Sequence, residues 1–429
     1  MGQKKILLIA FHFPPFSGSS GVQRTLRFCQ YLPKNGWLPV VLSANQKAYE
    51  KYSDELLSEI PRDVEVKRAF ALDTARHLSI RGRYSRLLAI PDRWVSWALG
   101  AIPSGYLLAK KHQPKLIWST YPLATTHLIA YVLHKLTKLP WVADFRDPMV
   151  ERRSTDGQWI PQNTLIRKAR LYIENNAIKN ASRIVFCTEG ARNICKERYP
   201  AADHSKMLVI PNGFDEKTFK AIEGEISSEK KENKPVVLLH SGFLYNSPDR
   251  NPSHFFEALS QLKKEGIISR ETLRVKLRAC GHDKEYQRIS EQKNISDIIS
   301  FEPSIQYNEA IKEMMTTDGL LIFQGYTSNP AIPAKLYEYI RAKKPIFSLA
   351  DREGDTAKFL EKLGMNDIAP LDDASTIKEQ LIIFLKKIKD GSVIAVPDEI
   401  IMRYSRESQA GDLASVFNDV TSKENAHIN

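Results

Sequence analysis

The strongest constraint on this chain is a pattern that occurs twice: short, almost wholly apolar runs alternating with longer segments whose apolar residues recur at helical spacing. In the first half the runs are Lys5–Ala10, Pro39–Ser43, Leu116–Ser119, Trp141–Asp144, Arg183–Thr188 and Met207–Ile210. Between them lie the helix-like stretches Val22–Leu32, Val95–Lys111, Ala124–Leu136 and Leu165–Lys179. A run that is apolar at every position, not every second one, predicts a strand covered on both faces, and strand–helix–strand repetition predicts a parallel sheet between helix layers. The turn Pro211-Asn212-Gly213 and the polar stretch Glu223–Lys234, read as a linker or exposed loop, interrupt the pattern. It restarts with strand-like Val236–His240, Val275–Cys280, Ile299–Phe301, Gly319–Phe323 and Pro345–Leu349. The matching helix-like segments are Pro252–Glu265, Lys284–Lys293, Tyr307–Thr316, Ala334–Ala342 and Asp355–Leu363. The expectation is an α/β chain of two Rossmann-like domains, residues 1–210 and 211–397, facing a cleft, with ligands at the carboxyl ends of both sheets.

Charge narrows the ligand class. Residues 1–210 hold 32 Lys+Arg against 16 Asp+Glu, and the remainder hold 30 against 34, so the whole excess of positive charge sits in the first half. Such a field favours a phosphorylated substrate, an anionic lipid surface or nucleic acid. The last is disfavoured, because no zinc finger, RNA-recognition signature or basic zipper is present. Arg81, Arg83 and Arg86 precede Leu87-Leu88-Ala89-Ile90, Trp94, Trp97, Leu99 and Ile102, a mixture that suits a segment at an anionic membrane surface; an ordinary amphipathic segment packed on the core fits equally well. No run of eighteen apolar residues exists to span a bilayer. The apolar stretch Ile6–Phe11 after Lys4-Lys5 is too short for a signal peptide and lacks a cleavage site, and Ile6 stands where myristoylation needs Ser or Thr. Cys29, Cys187, Cys195 and Cys280 form no paired motif, which points to a reducing cytoplasm.

Three segments carry candidate chemistry. Phe13-Pro14-Pro15-Phe16-Ser17-Gly18-Ser19-Ser20-Gly21-Val22-Gln23-Arg24 follows the first strand and opens a helix, so Gly18 and Gly21 allow close backbone approach while the helix start offers amides to an anion. It is neither a Walker A loop nor a dinucleotide fingerprint. Gly242 holds the equivalent place in the second half. Asp144-Phe145-Arg146-Asp147 ends a strand with three charges in four residues, and Arg146 is placed to hold Asp144 and Asp147. The carboxylates do not have the spacing of a metal pair, and no His/Cys cluster accompanies them, so no metal is expected. Ile332-Pro333-Ala334-Lys335 begins another helix with amides and an ammonium for a phosphate, and Glu338, one turn on, can accept hydrogen bonds from a ribose diol.

Together with Ile90-Pro91-Asp92-Arg93, Ser119-Thr120-Tyr121-Pro122 and Ile210-Pro211-Asn212-Gly213-Phe214-Asp215, these segments make the chain resemble, over nearly its whole length, the retaining GT-B glycosyltransferases of family 4. The resemblance implies two facing Rossmann-like domains with a C-terminal helix, about residues 398–422, crossing back to the N-terminal one. It implies a nucleotide-sugar donor, most often a UDP-sugar, on the second domain, with no further cofactor. Gly242, Arg250, Ile332, Ala334, Lys335 and Glu338 match donor-binding positions, with Arg250 and Lys335 as the cations for the diphosphate. Of the family's paired glutamates the second matches Glu338, while the first falls on Pro330. The site histidine of many relatives, usually followed by aspartate, is replaced by Arg146 before Asp147, so Asp144, Arg146 and Asp147 stand as catalytic candidates. The implied acceptor is a lipid-phosphate-linked or polysaccharide glycan, handled in the cytoplasm, at the inner membrane face in bacterial surface-glycan assembly. A nucleotide-sugar epimerase or hydrolase of the same fold, and a non-catalytic binding protein, are the competing expectations.

Overall fold

A computed structural model describes residues 3–17, 21–152, 157–226, 234–245, 249–392 and 394–428. The chain divides into two compact units, one of residues 1–212 with 406–429, the other of residues 213–405.

The first unit is built on a parallel sheet of seven strands, β1 Lys4–Ile9, β2 Trp37–Ala44, β3 Glu65–Ala69, β4 Leu116–Thr120, β5 Trp141–Arg146, β8 Arg183–Phe186 and β9 Met207–Val209. The short pair β6 Glu151–Arg152 and β7 Trp159–Ile160 is antiparallel and separate. The sheet order is β3-β2-β1-β4-β5-β8-β9. Ile6, Leu7, Leu8 and Ile9 of β1 are all fully buried and feed two different cores, Leu7 and Ile9 one, Ile6 and Leu8 the other. That is why β1 reads as a continuous apolar run. The edge strand β3, Glu-Val-Lys-Arg-Ala, is covered on one face only and alternates in burial, so no continuous apolar run marks it in the sequence. Helix Arg406–Ile428 belongs to this unit and fills its second core with Ala410, Leu413, Ala414, Phe417 and Val420, Phe417 meeting Trp37 edge-on at 5.4 Å. The returning helix expected over about 398–422 is thus two helices, because Asp398–Met402 lies in the other unit.

The second unit repeats the plan with β10 Val236–Ser241, β11 Leu273–Arg278, β12 Ile299–Glu302, β13 Gly319–Gln324, β14 Ile346–Ala350 and β15 Ile368–Ala369, all parallel, in the order β12-β11-β10-β13-β14-β15. Of the expected linker Glu223–Lys234 only Glu223 is helical, as the last residue of helix Glu216–Glu223, and residues 227–233 lie outside the described set. In each sheet the strand order reverses once beside the first strand, between β1 and β4 and between β10 and β13. In open α/β sheets that switch point leaves a crevice beyond the carboxyl ends, where ligands bind.

The segment proposed for a membrane surface divides in two. Trp97 is fully buried, and Trp94 packs on the same core with its indole N–H on the Ala48 carbonyl at 3.1 Å. Ile102 also packs there, so these rings are core residues and not interfacial anchors. Ile80, Tyr84, Leu87 and Leu88 remain exposed beside the exposed Arg81, Arg83 and Arg86. Among the described residues no helix is long and apolar enough to cross a membrane.

Candidate active site

At the switch point of the first unit, two of the three predicted charges do unlike work. Asp144 is fully buried at the end of β5. Its two carboxylate oxygens accept from Arg24 Nε and Nη2, each at 3.0 Å, and Thr120 Oγ1 donates to it at 2.9 Å. The same guanidinium donates to the Ile210 and Pro211 carbonyls. Burial works against the Arg24 charge, but Asp144 more than offsets it and holds the guanidinium protonated. Asp144 is therefore a knot joining helix Gly21–Tyr31, β4, β5 and the end of β9. Arg146 does not hold it, contrary to the sequence expectation; the guanidinium instead donates to the Tyr121 carbonyl at 3.1 Å. Arg24 was legible as a buried cation only after its partner was known.

Arg146 has φ +61°, and the Asp147 N–H closes back onto the Phe145 carbonyl at 2.6 Å. This three-residue turn is strained for a non-glycine residue, and such strain collects at functional sites. The turn coincides with a register shift of β5 against β8. It leaves Asp147, partly buried, just beyond the carboxyl end of β5. Burial raises its proton affinity against the opposing fields of Arg146 and Arg24. Among the described residues no hydrogen bond or ion pair engages it. His12, beyond β1, stacks on Phe16 at 4.3 Å, and burial with the Arg146 charge pushes its pKa down to about 3, so it is a neutral ring. No motif in the sequence marked it. Gly21 is the buried first residue of its helix; Gly18 lies outside the described residues.

The second unit gathers Gly242, Lys335, Glu338 and Arg250 around its own switch point. Helix Ala334–Arg341 starts after Pro333 and is anchored at its far end by Arg341, which grips Glu216 with Nε and Nη2 at 2.5 and 2.9 Å and Glu223 with Nη1 at 2.8 Å. From its first turn Lys335 sends its ammonium onto the Ser241 carbonyl at the end of β10. Gly242 has φ +131°, and a Cβ there would stand 1.8 Å from Lys335 Nζ. Glycine is required on both counts. Burial and the Arg250 charge, opposed by Glu338, lower the Lys335 pKa to about 7. Among the described residues no carboxylate forms an ion pair with Lys335, whereas Arg250 has Asp249 at 3.5 Å. Glu338 accepts from the Tyr307 hydroxyl at 2.8 Å. Ile332 and Ala334, partly buried, line the approach to the helix start. Gly242→Ala should displace the Lys335 ammonium and lower nucleoside-diphosphate affinity about tenfold or more while the fold survives, as calorimetry and thermal melting would show.

Among the described residues no group of three or more His, Cys, Asp or Glu could hold a metal ion. Residues 20–213 match the family model of the glycosyl transferase 4-like domain. The first unit thus carries a glycosyl transferase 4-like domain, and the chain has the GT-B fold. The fold rests on solved structures: sucrose-phosphate synthase from Thermosynechococcus elongatus at TM-score 0.68 and 12% identity, over 98% of this chain and 100% of that one. Anabaena HepE in complex with UDP follows at 0.60 and 13%, over 99% of both. The lipopolysaccharide outer core galactosyltransferase WaaB aligns at 0.59 and 13%, over 98% and 99%. No curated protein matches the chain. The chain carries the candidate donor groups on its second unit and, on its first, the Asp147 carboxyl that no hydrogen bond or ion pair engages among the described residues.

Proposed function

We propose that the chain is a glycosyltransferase that uses a UDP-sugar, without a metal or other cofactor, and passes the sugar with retained configuration to a phosphate-linked glycan acceptor. One observation carries the donor side: Lys335, set against Gly242, feels the repulsion of Arg250, and among the described residues no carboxylate forms an ion pair with it, Glu338 opposing the repulsion only in part. A diphosphate resolves that repulsion. When the sugar–phosphate bond breaks, its electron pair goes to a diphosphate oxygen, and these fixed cations stabilise the growing charge; one preorganised donor of this kind is worth roughly 2.7–4 kcal/mol in a transition state. Glu338 then takes the ribose hydroxyls. Support for uridine comes from HepE, whose structure holds UDP.

The acceptor hydroxyl gives its proton to the departing phosphate, and Asp147, which no partner engages among the described residues, is the first unit's candidate for holding the acceptor. The basic first half and the exposed Ile80–Leu88 segment support an acceptor anchored in an anionic membrane at its cytoplasmic face, as in surface-glycan assembly. Liposomes containing anionic lipid should retain the protein at low salt and release it at high salt; equal recovery from neutral and anionic vesicles refutes the membrane part. The decisive assay incubates the protein with a panel of UDP- and GDP-sugars and membrane lipid extract and follows release of the nucleoside diphosphate with product mass. Hydrolysis or isomerisation of a donor alone, with no acceptor-dependent product, overturns the reading. Within it, Glu338→Ala should abolish the preference for UDP over 2′-deoxy-UDP, a loss of about 5–10-fold in the ribonucleotide's affinity, measurable by competition.

A further inference from the structure

Ser241, the last residue of β10, has both of its backbone polar atoms held by one helix. Its N–H donates to the Tyr339 hydroxyl at 2.8 Å, and its carbonyl accepts from the Lys335 ammonium. The reason lies in the sheet. β10 pairs with β11 to its end, and the Gly242 N–H reaches the Arg278 carbonyl on that side at 2.8 Å. On the other side β10 pairs with β13 only at Leu238 and Leu239. Beyond them the strands part, so Ser241 has no strand partner there, and an unpaired N–H would be costly. Residues 335 and 339 stand one helical turn apart and face the same way, so the helix closes the gap with two side chains where a strand is missing.

We infer that Tyr339 is a positioning residue of the phosphate site: by fixing Ser241 it aims the Lys335 ammonium across Gly242. The inference rests on the reading of Gly242 and Lys335 as the diphosphate cradle. Three features of the geometry support it. The Tyr339 ring is fully buried in the core made by Leu239, Leu336 and Ile340, so its hydroxyl has one place to go. Lys335 carries three N–H bonds and spends one on Ser241, leaving two for phosphate oxygens. Gly242, next in the chain, leaves open the space the ammonium occupies. If Ser241 shifts, the carbonyl that anchors Lys335 shifts with it.

Tyr339→Phe tests this, because it keeps the ring and removes only the hydroxyl. In the ligand-free protein, the pH midpoint for labelling Lys335 with an amine-reactive reagent should rise as the freed ammonium reaches water. UDP affinity by calorimetry should fall about tenfold, and the substitution should cost nothing further in a Lys335→Met background. A hydroxyl that served stability alone would lower the melting temperature and leave the midpoint where it is; that result overturns the inference. Equal losses in both backgrounds overturn it as well. If the wild-type protein binds no UDP while the midpoint still moves, the nucleotide reading fails and the placement of Lys335 by Tyr339 stands.

Discussion

Lys335→Met is expected to weaken UDP binding about 10–100-fold, the scale of one charge-assisted hydrogen bond lost from a partly buried site. It should also flatten the pH dependence of binding. In the ligand-free protein burial and Arg250 hold the ammonium near a pKa of about 7, so only the lower half of the neutral range presents a full charge. A bound diphosphate favours the protonated form. Affinity should therefore be greatest at about pH 6–7 and fall by up to ~tenfold per pH unit above it, with uptake of a proton on binding. Calorimetry at pH 8 in buffers of different ionisation enthalpy would read that uptake directly; a pH-independent affinity in the wild type sinks the assignment. The stability of the free protein runs the other way. The unfolded chain carries Lys335 at its ordinary value of 10.5 and the folded one at about 7, so between these values the unfolded state binds more protons. This group thus makes the ligand-free protein more stable as pH rises through that window, and Lys335→Met removes the slope.

The strands buried on both faces were legible because nothing but apolar residues fits there, as at Ile6–Ile9 and Leu320–Phe323. Elements covered on one side only were not: β3 alternates charge with Val66, and β15 is two residues long. Lys335 and Glu338 could be read from their spacing on one helix. What the sequence withheld was pairing across distance. Arg24 and Asp144 are 120 positions apart, and nothing in either neighbourhood says that they meet. Asp144 and Asp147 read alike in a line of residues, yet on either side of the turn at Arg146 one is fully buried and paired and the other only partly buried. Nothing in the sequence sets Tyr339 apart from Leu336 and Ile340 on the buried face of its helix, since the gap its hydroxyl fills exists only where two strands diverge.

That divergence between neighbouring aspartates gives the second large effect. Asp144→Ala leaves the Arg24 guanidinium buried, 1% exposed, with only carbonyls as hydrogen-bond partners among the described residues. Breaking one side of a buried pair costs about 3–5 kcal/mol, which for a unit of this size is a fall in melting temperature of roughly 6–20 °C. The double substitution Arg24→Met with Asp144→Leu should recover much of that loss, because it removes both charges together. Asp147→Asn should behave in the opposite way. Its carboxyl is engaged by no partner among the described residues, and burial already disfavours its charge, so replacing it with a neutral amide of the same shape should leave the melting temperature unchanged or slightly raised. Turnover should nonetheless drop by at least about tenfold at saturating donor, with UDP affinity intact, since the amide orients an acceptor hydroxyl less well than a carboxylate does. Melting curves and acceptor-dependent rates on the same three proteins separate the roles. An Asp147→Asn enzyme with full turnover, or an Asp144→Ala enzyme with an unchanged melting temperature, contradicts the division of labour between the two carboxylates.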